Sequence, residues 1–479
     1  MADAPIVMQG IAEQARLIRD GTVTPLDMVE RYLERADRYD TSLRAFITID
    51  RDGATDAARS AGEELRAGFD RGPLHGIPFA VKDQIEVPGL PVTGGSKVRA
   101  GTIGRYEATV VKRLREAGAI LLGTANTMEF HIGTNRVYPF GVPRNPWDLE
   151  RTPGGSSSGS ASAVAAGLCT FALGGDTGGS IRTPAALCGV TGVRGTWSLV
   201  SRHGVIPLSW SHDAVGPIAR SASDAAIVLQ VIAGFDPDDP TTSRRAIPDY
   251  GAGLGTSIAG VRVGVLEQMT YVDEVRPEAT AAVEAACAVL ESLGATVEVV
   301  SVPLVEHSRM LHAPLVYPEA FSYHRPALLR QYDDFDVNTR VALLVGGILP
   351  AGMVELARRG RVALMRELVG AFDGIDVLVG ATTRGGAPRI PDDSPVTVAT
   401  DAEHALFGKG GTAAGQHTRA FAMAGLPALT VPCGFDSAGM PLGLHVAAPW
   451  FAEGRLLRVA HQYQGATSWH RRTPAVVAV

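Results

Sequence analysis

The sequence predicts an α/β protein in which helices pack around a largely buried sheet. Three observations carry this prediction: short apolar runs typical of buried strands, helical periodicity between those runs, and a forty-residue stretch with almost no charge. A chain of 479 residues, 46% of them hydrophobic, is long enough to bury a sizeable core. Strand and helix patterns that alternate along a chain are typical of helices packed on a sheet.

The first part of the chain follows this alternation closely. Apolar residues recur at helical spacing until Gly21 interrupts them, and Thr24-Pro25 then gives a helix start signal. We expect residues 1–70 to form an N-terminal helical region. The elements predicted in this part are two helices between residues 8 and 38, a strand at 45–49, a helix at 54–67, a strand at 77–81, a helix at 109–118 and a strand at 119–123.

The second part repeats the pattern around an irregular segment. The predicted elements are strands at 258–266 and 295–302 with a helix at 277–293 between them, a strand at 375–380, strands within 425–435 and 439–449, and a helix at 454–464. Residues 300–400 have the least regular pattern, with a basic helix around 358–366. We interpret them as a variable region that forms the walls of a substrate pocket, although ordinary surface elaboration fits the pattern equally well.

Composition narrows the classes of function. A net charge of −6 without any lysine or arginine run argues against direct binding of nucleic acid, so we expect a small-molecule substrate. No apolar stretch reaches the length of a membrane helix, and residues 1–14 lack the features of a secretory signal, so we expect a cytoplasmic protein without membrane contact. No metal or other cofactor is expected, and the cysteines lack CxxC spacing and are interpreted as buried free thiols: Cys169, Cys188, Cys287 and Cys433.

Two serine loops lie in the nearly uncharged stretch. Ser156 belongs to GGSSSGSA and Ser180 to GGDTGGSIRTP, and the stretch that contains both, residues 154–193, holds only Asp176 and Arg182 as charged residues. We therefore expect this stretch to be buried. Glycine-rich turns let several amide N–H groups converge, which an oxyanion requires. The candidate oxyanion donors are the amides of Thr177, Gly178, Gly179 and Ser180.

Lys82 is the candidate base, since it follows the apolar run IPFAV. A serine hydroxyl needs a base within hydrogen-bond reach, and lysine serves as one only when burial or a neighbouring positive charge lowers its pKa from about 10.4. The alternative is that Lys82 pairs with Asp83 or another acid and stays charged.

With this lysine and these two serine loops, the chain resembles the amidase signature hydrolases, which include fatty acid amide hydrolase, malonamidase, peptide amidases and the A subunit of glutamyl-tRNA amidotransferase. The resemblance covers nearly the whole chain and rests on PFAVKD at 78–83, GTANTMEF at 123–130, NPW at 145–147, both serine loops, Asp213 with GPIAR at 216–220, GLPALTVPCGF at 425–435 and PLGLHV at 441–446. It implies one amidase domain over residues 1–479, with a signature core at 71–225. It also implies a large, mixed, mostly parallel central sheet covered by helices on both faces.

The resemblance assigns roles to the residues already singled out. Ser180 is the implied nucleophile, Ser156 a bridging serine preceded by a cis peptide bond, and Lys82 the base. The implied activity is hydrolysis of linear amides through an acyl-enzyme, with aryl amides, carbamates and esters also compatible. We expect a monomer or homodimer that acts as a free hydrolase, because residues 300–400 do not show a long helical pattern.

Two other functions remain open. The same triad in the A subunit of a tRNA-dependent amidotransferase releases ammonia from glutamine for a partner enzyme. Alternatively, GSSSG at 155–159 matches the GxSxG elbow of an α/β-hydrolase, which would make Ser157 the nucleophile. The second alternative lacks the strand that should precede the elbow.

Several residues are expected to support the site. Asp176, Arg182 and Ser157 are predicted to hold the serine loops, with Asp176 and Arg182 paired to each other or to the backbone. Met128 and His131 are candidate substrate contacts, and a packed, hydrogen-bonded His131 is the alternative. The chain departs from the family at His445, where many members have glutamine, and at Ala422, where many have asparagine, so the pocket is expected to differ.

Overall fold

The structure is a computed structural model that describes residues 6–132, 138–390 and 417–477. In this part of the chain, eleven strands form one sheet in the order β1-β3-β2-β4-β6-β5-β10-β11-β9-β7-β8. The strands are β1 (Phe46–Ile49), β2 (Pro78–Lys82), β3 (Ile120–Ala125), β4 (Phe171–Asp176), β5 (Thr191–Arg194), β6 (Ala214–Ala219), β7 (Arg262–Leu266), β8 (Thr296–Val300), β9 (Val377–Ala381), β10 (Ala428–Phe435) and β11 (Pro441–Ala447).

Helices flank this sheet, which confirms the predicted α/β class. They are α1 (Ile11–Arg19), α2 (Pro25–Leu43), α3 (Arg51–Arg66), α4 (Thr109–Glu116), α5 (Ser158–Ala166), α6 (Arg182–Cys188), α7 (Ala222–Ile232), α8 (Glu267–Thr270), α9 (Pro277–Ser292), α10 (Ser308–Arg330), α11 (Val337–Ile348), α12 (Ala351–Gly370), α13 (Thr418–Ala424) and α14 (Glu453–Ala466). The start signal at Thr24-Pro25 is confirmed in α2, where Thr24 and Asp27 form a capping box and Pro25 is the first helical residue.

The sheet is mixed as predicted, but the expectation of a mostly parallel sheet is wrong. The pairs β2–β3, β2–β4, β7–β8 and β7–β9 are parallel, whereas β1–β3, β4–β6, β5–β6, β5–β10, β10–β11 and β9–β11 are antiparallel. A parallel pair requires a crossover of about a dozen residues or more. The short turn between β10 and β11 excludes such a crossover and forces a hairpin.

The segment that looked irregular in sequence is largely helical. Residues 308–370 contain α10, α11 and α12, and α10 continues through Pro314, Pro318 and Pro326. Proline usually ends or kinks a helix because it lacks an N–H donor, so the sequence pattern concealed this helix. Among the described residues, no single helix meets the length and apolarity criteria for crossing a bilayer; α11 and α12, which meet at a 97° bend, satisfy them only as a pair.

The core of the sheet brings chemically active residues together. Every residue of β2, β3, β4 and β6 is buried. Lys82 and Asp176 are the last residues of the parallel neighbours β2 and β4, so both lie at the same edge of the sheet. β6 runs antiparallel to β4 and pairs Ala214 with Asp176, which places Asp213 at this edge as well.

Candidate active site

Lys82 is fully buried and lies beside one of the two serines. Its Nζ is 2.6 Å from the Oγ of Ser156. Burial lowers the pKa of Lys82 to about 7, although Asp213 and Asp176 favour the charged form. A substantial fraction of Lys82 is therefore neutral near pH 7, as a base requires.

Asp83 is not the partner of Lys82. Its carboxylate accepts hydrogen bonds from the N–H of Thr93 at 3.1 Å and the N–H of Gly95 at 3.3 Å, and from the Thr93 hydroxyl. The alternative in which Asp83 keeps Lys82 charged does not fit this geometry.

The backbone around Ser156 is held from one side by residues 127 and 128. The Gly155–Ser156 peptide bond is cis. The Ser156 carbonyl oxygen accepts a hydrogen bond from the Thr127 hydroxyl at 2.9 Å and one from the Met128 N–H at 3.4 Å. A Cβ at Gly155 would lie only 2.3 Å from the Met128 Cε, so Met128 packs directly on this peptide.

Ser157 joins the two serine loops. Its N–H donates to the Ser180 carbonyl at 3.2 Å, and its Oγ donates to the Gly175 carbonyl at 3.2 Å and accepts from the Gly175 N–H at 3.3 Å. The hydroxyl is buried and committed to β4. This placement argues against Ser157 as the nucleophile of a GxSxG elbow.

Ser180 is partly exposed within an otherwise buried stretch. The predicted burial of residues 154–193 is confirmed, since only Gly155, Gly178, Ser180 and Thr183 are partly exposed. The Asp176 carboxylate holds the loop by accepting from the N–H of Gly179 at 2.8 Å and the N–H of Ile181 at 3.2 Å. Ser180 thus has both a firmly held backbone and access from outside.

The hydrogen bond to Asp176 removes one of the four candidate oxyanion donors, the Gly179 N–H. The Gly179 N–H is already occupied, so it is not available to an oxyanion in this arrangement. Gly179 instead has a structural reason to be glycine: its φ is +131°, and a Cβ there would lie 2.2 Å from the Thr418 Oγ1. The amides of Thr177, Gly178 and Ser180 remain as candidates.

Asp176 and Arg182 form a fully buried ion pair. Arg182 Nε lies 3.0 Å from Asp176 Oδ2 and its Nη2 lies 3.0 Å from Oδ1, while Arg194 donates to the Asp176 carbonyl and lies 3.4 Å from Oδ1. Burial alone would raise the pKa of Asp176, but the two guanidinium groups hold this pKa well below its ordinary value. The carboxylate stays ionised and fixes the loop.

His445 is the next member of this buried network. Its Nε2 lies 2.9 Å from the Nη1 of Arg182. A guanidinium only donates, so Nε2 carries the lone pair and His445 is neutral. Burial first, and then the charge of Arg182, lower the pKa of His445 well below its ordinary value.

His131 is buried close to Ser156. Its Nδ1 is 3.2 Å from the Oγ1 of Thr127, and the Thr127 hydroxyl is also within hydrogen-bond distance of the Ser156 and Met128 carbonyls. Burial, then Lys82, lowers the pKa of His131 well below its ordinary value. His131 thus contacts the threonine that holds the Ser156 carbonyl, and its role as a substrate contact stays a prediction.

Two residues that contact the Ser180 loop, His312 and Thr418, were not identified in sequence. The Thr177 hydroxyl donates to Asp213 at 2.5 Å, the Thr177 carbonyl accepts from His312 Nε2 at 3.2 Å, and the Gly178 carbonyl accepts from the Thr418 hydroxyl at 2.8 Å. His312 and Thr418 lie far along the chain in α10 and α13 and belong to no motif. Only the tertiary fold brings them to this loop.

The cysteine expectation is confirmed, because Cys169, Cys188, Cys287 and Cys433 are all buried and free. In the ranges that the structure describes, no three histidine, cysteine, aspartate or glutamate side chains form a group suited to a metal ion.

Comparison with known proteins places the chain in a family. The model of the Amidase family matches residues 27–457. The A subunit of glutamyl-tRNA(Gln) amidotransferase from Gloeobacter violaceus is 36% identical over 480 residues, with 95% of each chain covered. Its counterpart from Aromatoleum aromaticum is 38% identical, with 95% of this chain and 96% of the relative covered.

A solved structure has a similar fold. The structure of 6-aminohexanoate cyclic dimer hydrolase complexed with substrate is similar with a TM-score of 0.89 and 26% identity, covering 98% of this chain and 99% of the other. Enzymes of the Amidase family act on carbon–nitrogen bonds. The chain, with its buried lysine and paired serine loops, is a member of the Amidase family.

Proposed function

We propose that this protein hydrolyses a carbon–nitrogen acyl bond, with Ser180 as nucleophile, Ser156 as proton bridge and Lys82 as base. The observation that carries the proposal is the 2.6 Å contact between Lys82 Nζ and Ser156 Oγ, made by a lysine whose pKa is lowered to about 7. A neutral amine beside a hydroxyl provides the base that an unactivated serine lacks.

The acylation step follows from this arrangement. Neutral Lys82 takes the proton of the Ser156 hydroxyl, Ser156 takes the proton of Ser180, and the Ser180 Oγ forms a bond to the acyl carbon. The carbon–nitrogen bond then breaks, and the proton returns through Ser156 to the departing amine. Amide N–H groups of Thr177, Gly178 and Ser180 are the proposed oxyanion donors.

Deacylation uses the same groups in the same order. Water gives its proton through Ser156 to Lys82 and attacks the acyl carbon, and Ser180 leaves with that proton. The acid is released and the enzyme is restored. No oxidant, reductant or second substrate besides water is consumed.

The experiment is a comparison of Ser180→Ala, Ser156→Ala and Lys82→Met with the wild type on p-nitroanilides, simple amides, carbamates and glutamine. We expect kcat/KM to fall by about 10⁴-fold or more for Ser180→Ala and by about 10²–10⁴-fold for the other two. Ser437→Ala, an exposed serine, is the matched control and should be unchanged. A folded Ser180→Ala that keeps most turnover would overturn the mechanism.

The nucleophile is tested independently of the substrate with a fluorophosphonate probe. An activated serine displaces fluoride and forms an oxygen–phosphorus bond, and peptide mass spectrometry locates the label. We expect the label on Ser180, with labelling abolished in Ser180→Ala and slowed in Lys82→Met. A label on Ser156 or Ser157 would reverse the assignment.

A second candidate function is that of a glutamine-hydrolysing A subunit of a tRNA-dependent amidotransferase. The relatives described above carry that name at 36% and 38% identity over nearly the whole chain. The sequence argument for a free hydrolase depended on the absence of a long helical pattern in residues 300–400, and α10, α11 and α12 remove that argument. The comparisons therefore favour this candidate over the free hydrolase.

Partner dependence separates the two candidates. The chain is purified alone and also with its co-purifying proteins, and glutamine hydrolysis is measured in both preparations. Glutamine hydrolysis that requires a partner supports the amidotransferase role. Turnover of aryl or alkyl amides by the lone chain, with no stimulation by a partner, supports the free hydrolase.

A further inference from the structure

A histidine of α10 contacts the outer side of the Ser180 loop. His312 Nε2 lies 3.2 Å from the carbonyl oxygen of Thr177. A carbonyl oxygen only accepts, so Nε2 must carry the hydrogen and donate it. The contact therefore fixes both the tautomer and the orientation of His312.

Glycine at position 178 allows the imidazole to approach the loop closely. A Cβ at Gly178 would lie 3.1 Å from His312 Nε2 and 3.0 Å from the Cγ of Arg419. Such distances are shorter than a side chain normally tolerates, so His312 packs directly on the main chain. The peptide that it contacts is the one between Thr177 and Gly178.

That peptide also contains a proposed oxyanion donor, the Gly178 N–H. A hydrogen bond accepted by a peptide carbonyl polarises the whole unit and strengthens its N–H as a donor. In the described part of the chain, the Gly178 N–H makes no hydrogen bond to another protein group, and Gly178 is partly exposed beside Ser180. This N–H is therefore free to meet an oxyanion.

The neighbouring peptide provides a contrast. Thr418 donates its hydroxyl to the Gly178 carbonyl at 2.8 Å, but the N–H of that peptide belongs to Gly179 and is occupied by Asp176. Polarisation by Thr418 thus strengthens a structural hydrogen bond. Polarisation by His312 acts on a peptide whose N–H is available.

His312 stays neutral, so its Nε2 donates to Thr177 in the same way at every pH at which the lysine titrates. His312 is partly buried in α10, and burial first, and then the positive charge of Arg419, lower its pKa to about 3, although its bond to Thr177 favours the protonated form. The ring of His212 meets the ring of His312 edge-on at 5.6 Å, and the pKa of His212 is also well below its ordinary value. Both imidazoles are neutral across the pH range in which the lysine titrates.

We propose that His312 is a positioning residue of the oxyanion site, which donates from Nε2 to the Thr177 carbonyl and so orients and polarises the Gly178 N–H. The inference rests on the amide hydrolysis proposed above, because it needs an oxyanion beside Ser180. It assigns to α10 a direct role in the rate of the reaction, and not only in the shape of the pocket.

The test compares His312→Leu, which removes the donor, with His312→Gln, which keeps an N–H at similar reach. Steady-state kinetics use an amide that the wild type hydrolyses, and the fluorophosphonate probe reports on Ser180 directly. For His312→Leu we expect kcat and the labelling rate to fall about tenfold with KM changed less than about twofold, since the lost stabilisation acts in the transition state. His312→Gln should recover most of the rate, and His307→Leu, at an exposed histidine just before α10, should match the wild type.

Histidine ¹⁵N NMR reports the tautomer of His312 without a measurement of turnover. The His312 resonance, assigned by its loss in His312→Gln, should show the Nε2–H tautomer from pH 5.5 to 9. An Nδ1–H tautomer, an unchanged kcat in His312→Leu, or a loss expressed only in KM would each overturn the inference. A wild type that neither turns over the panel nor reacts with the probe would instead overturn the proposed function, and the role of His312 would fall with it.

Discussion

Lys82 Nζ lies 2.6 Å from Ser156 Oγ, and neither side chain reaches solvent. The contact remains possible in both protonation states of the lysine, because the ammonium donates to the hydroxyl and the neutral amine accepts from it. In the proposed mechanism, only the second direction activates the serines. The protonation state of Lys82 would therefore decide whether Ser156 can pass a proton.

The first prediction concerns the pH dependence of the rate. In the proposed mechanism only neutral Lys82 acts as the base, so log(kcat/KM) should rise with a slope of one below about pH 7 and level off above it. The charges of Asp213 and Asp176 favour the charged form of the amine, while His131 is neutral and contributes no second step in this range. The pH–rate profile of the free enzyme, fitted between pH 5.5 and 9, measures the midpoint.

The control for this profile is Lys82→Met measured with the fluorophosphonate probe. Its residual labelling should be slow and should lack the ionisation near pH 7. A wild-type profile that is flat across this range, or that falls where it should rise, would contradict the assignment of Lys82 as the base.

The second prediction concerns the stability cost of the buried lysine. The unfolded chain binds the lysine proton up to about pH 10.4, whereas the folded protein binds it only below about pH 7. Between these values the unfolded state holds more protons, so the free energy of unfolding of the wild type should rise with pH. Lys82→Met lacks this dependence, and its advantage over the wild type should be largest below pH 7 and shrink toward pH 10.

Chemical denaturation of both proteins at pH 6, 7.5 and 9 measures the difference. Between pH 6 and pH 9 the stability gap should change by about 3 kcal/mol. Subtracting the two proteins cancels the titrating groups that do not interact with Lys82. A gap that stays constant with pH would show that Lys82 ionises normally in the folded protein.

Sequence patterns predicted the burial at the centre of this site because its determinants are local. The apolar run before Lys82 indicated burial, and the glycine-flanked serines lie in a stretch whose lack of charge indicated the same. The strands and helices of the N-terminal part followed from the same periodicity. Residues 391–400 of the predicted pocket region lie outside the described residues.

The features that sequence missed depend on contacts between distant segments. His312 reaches Thr177 across 135 residues and Thr418 reaches Gly178 across 240, and no periodicity encodes such separations. The direction of the strands was also misjudged, because apolar runs look alike in parallel and antiparallel pairs. The three prolines of α10 concealed a helix that tertiary packing holds together.

The third prediction concerns glycine at position 179. Gly179→Ala would place a Cβ 2.2 Å from the Thr418 Oγ1 at a residue whose φ is +131°. We expect a loss of about 1–3 kcal/mol in unfolding free energy and a fall in kcat of about 100-fold, because the loop that carries Ser180 must shift. Thermal unfolding and steady-state kinetics measure the two effects.

A matched glycine provides the control for position 179. A Cβ at Gly253 meets no atom within 4 Å, and its φ lies outside the left-handed region, so Gly253→Ala should behave like the wild type. If Gly179→Ala retained full activity and stability, the close contact between this loop and Thr418 would not exist in solution.

The last prediction distinguishes His445 as a hydrogen-bond acceptor from His445 as packing. Its neutral Nε2 accepts from Arg182 Nη1, while the Nε and Nη2 of Arg182 hold Asp176 and the Thr418 carbonyl. His445→Leu leaves a buried guanidinium N–H unsatisfied and should cost about 1–3 kcal/mol of unfolding free energy, whereas His445→Gln supplies an amide oxygen and should cost less. Because burial and Arg182 hold the pKa of His445 low, the unfolded wild type binds a proton below about pH 6.5 that the folded protein does not. The wild type should therefore lose stability relative to His445→Gln as the pH falls from 7 to 5. Chemical denaturation of both proteins across that range measures this difference. A wild type that gained stability instead would refute the acceptor role.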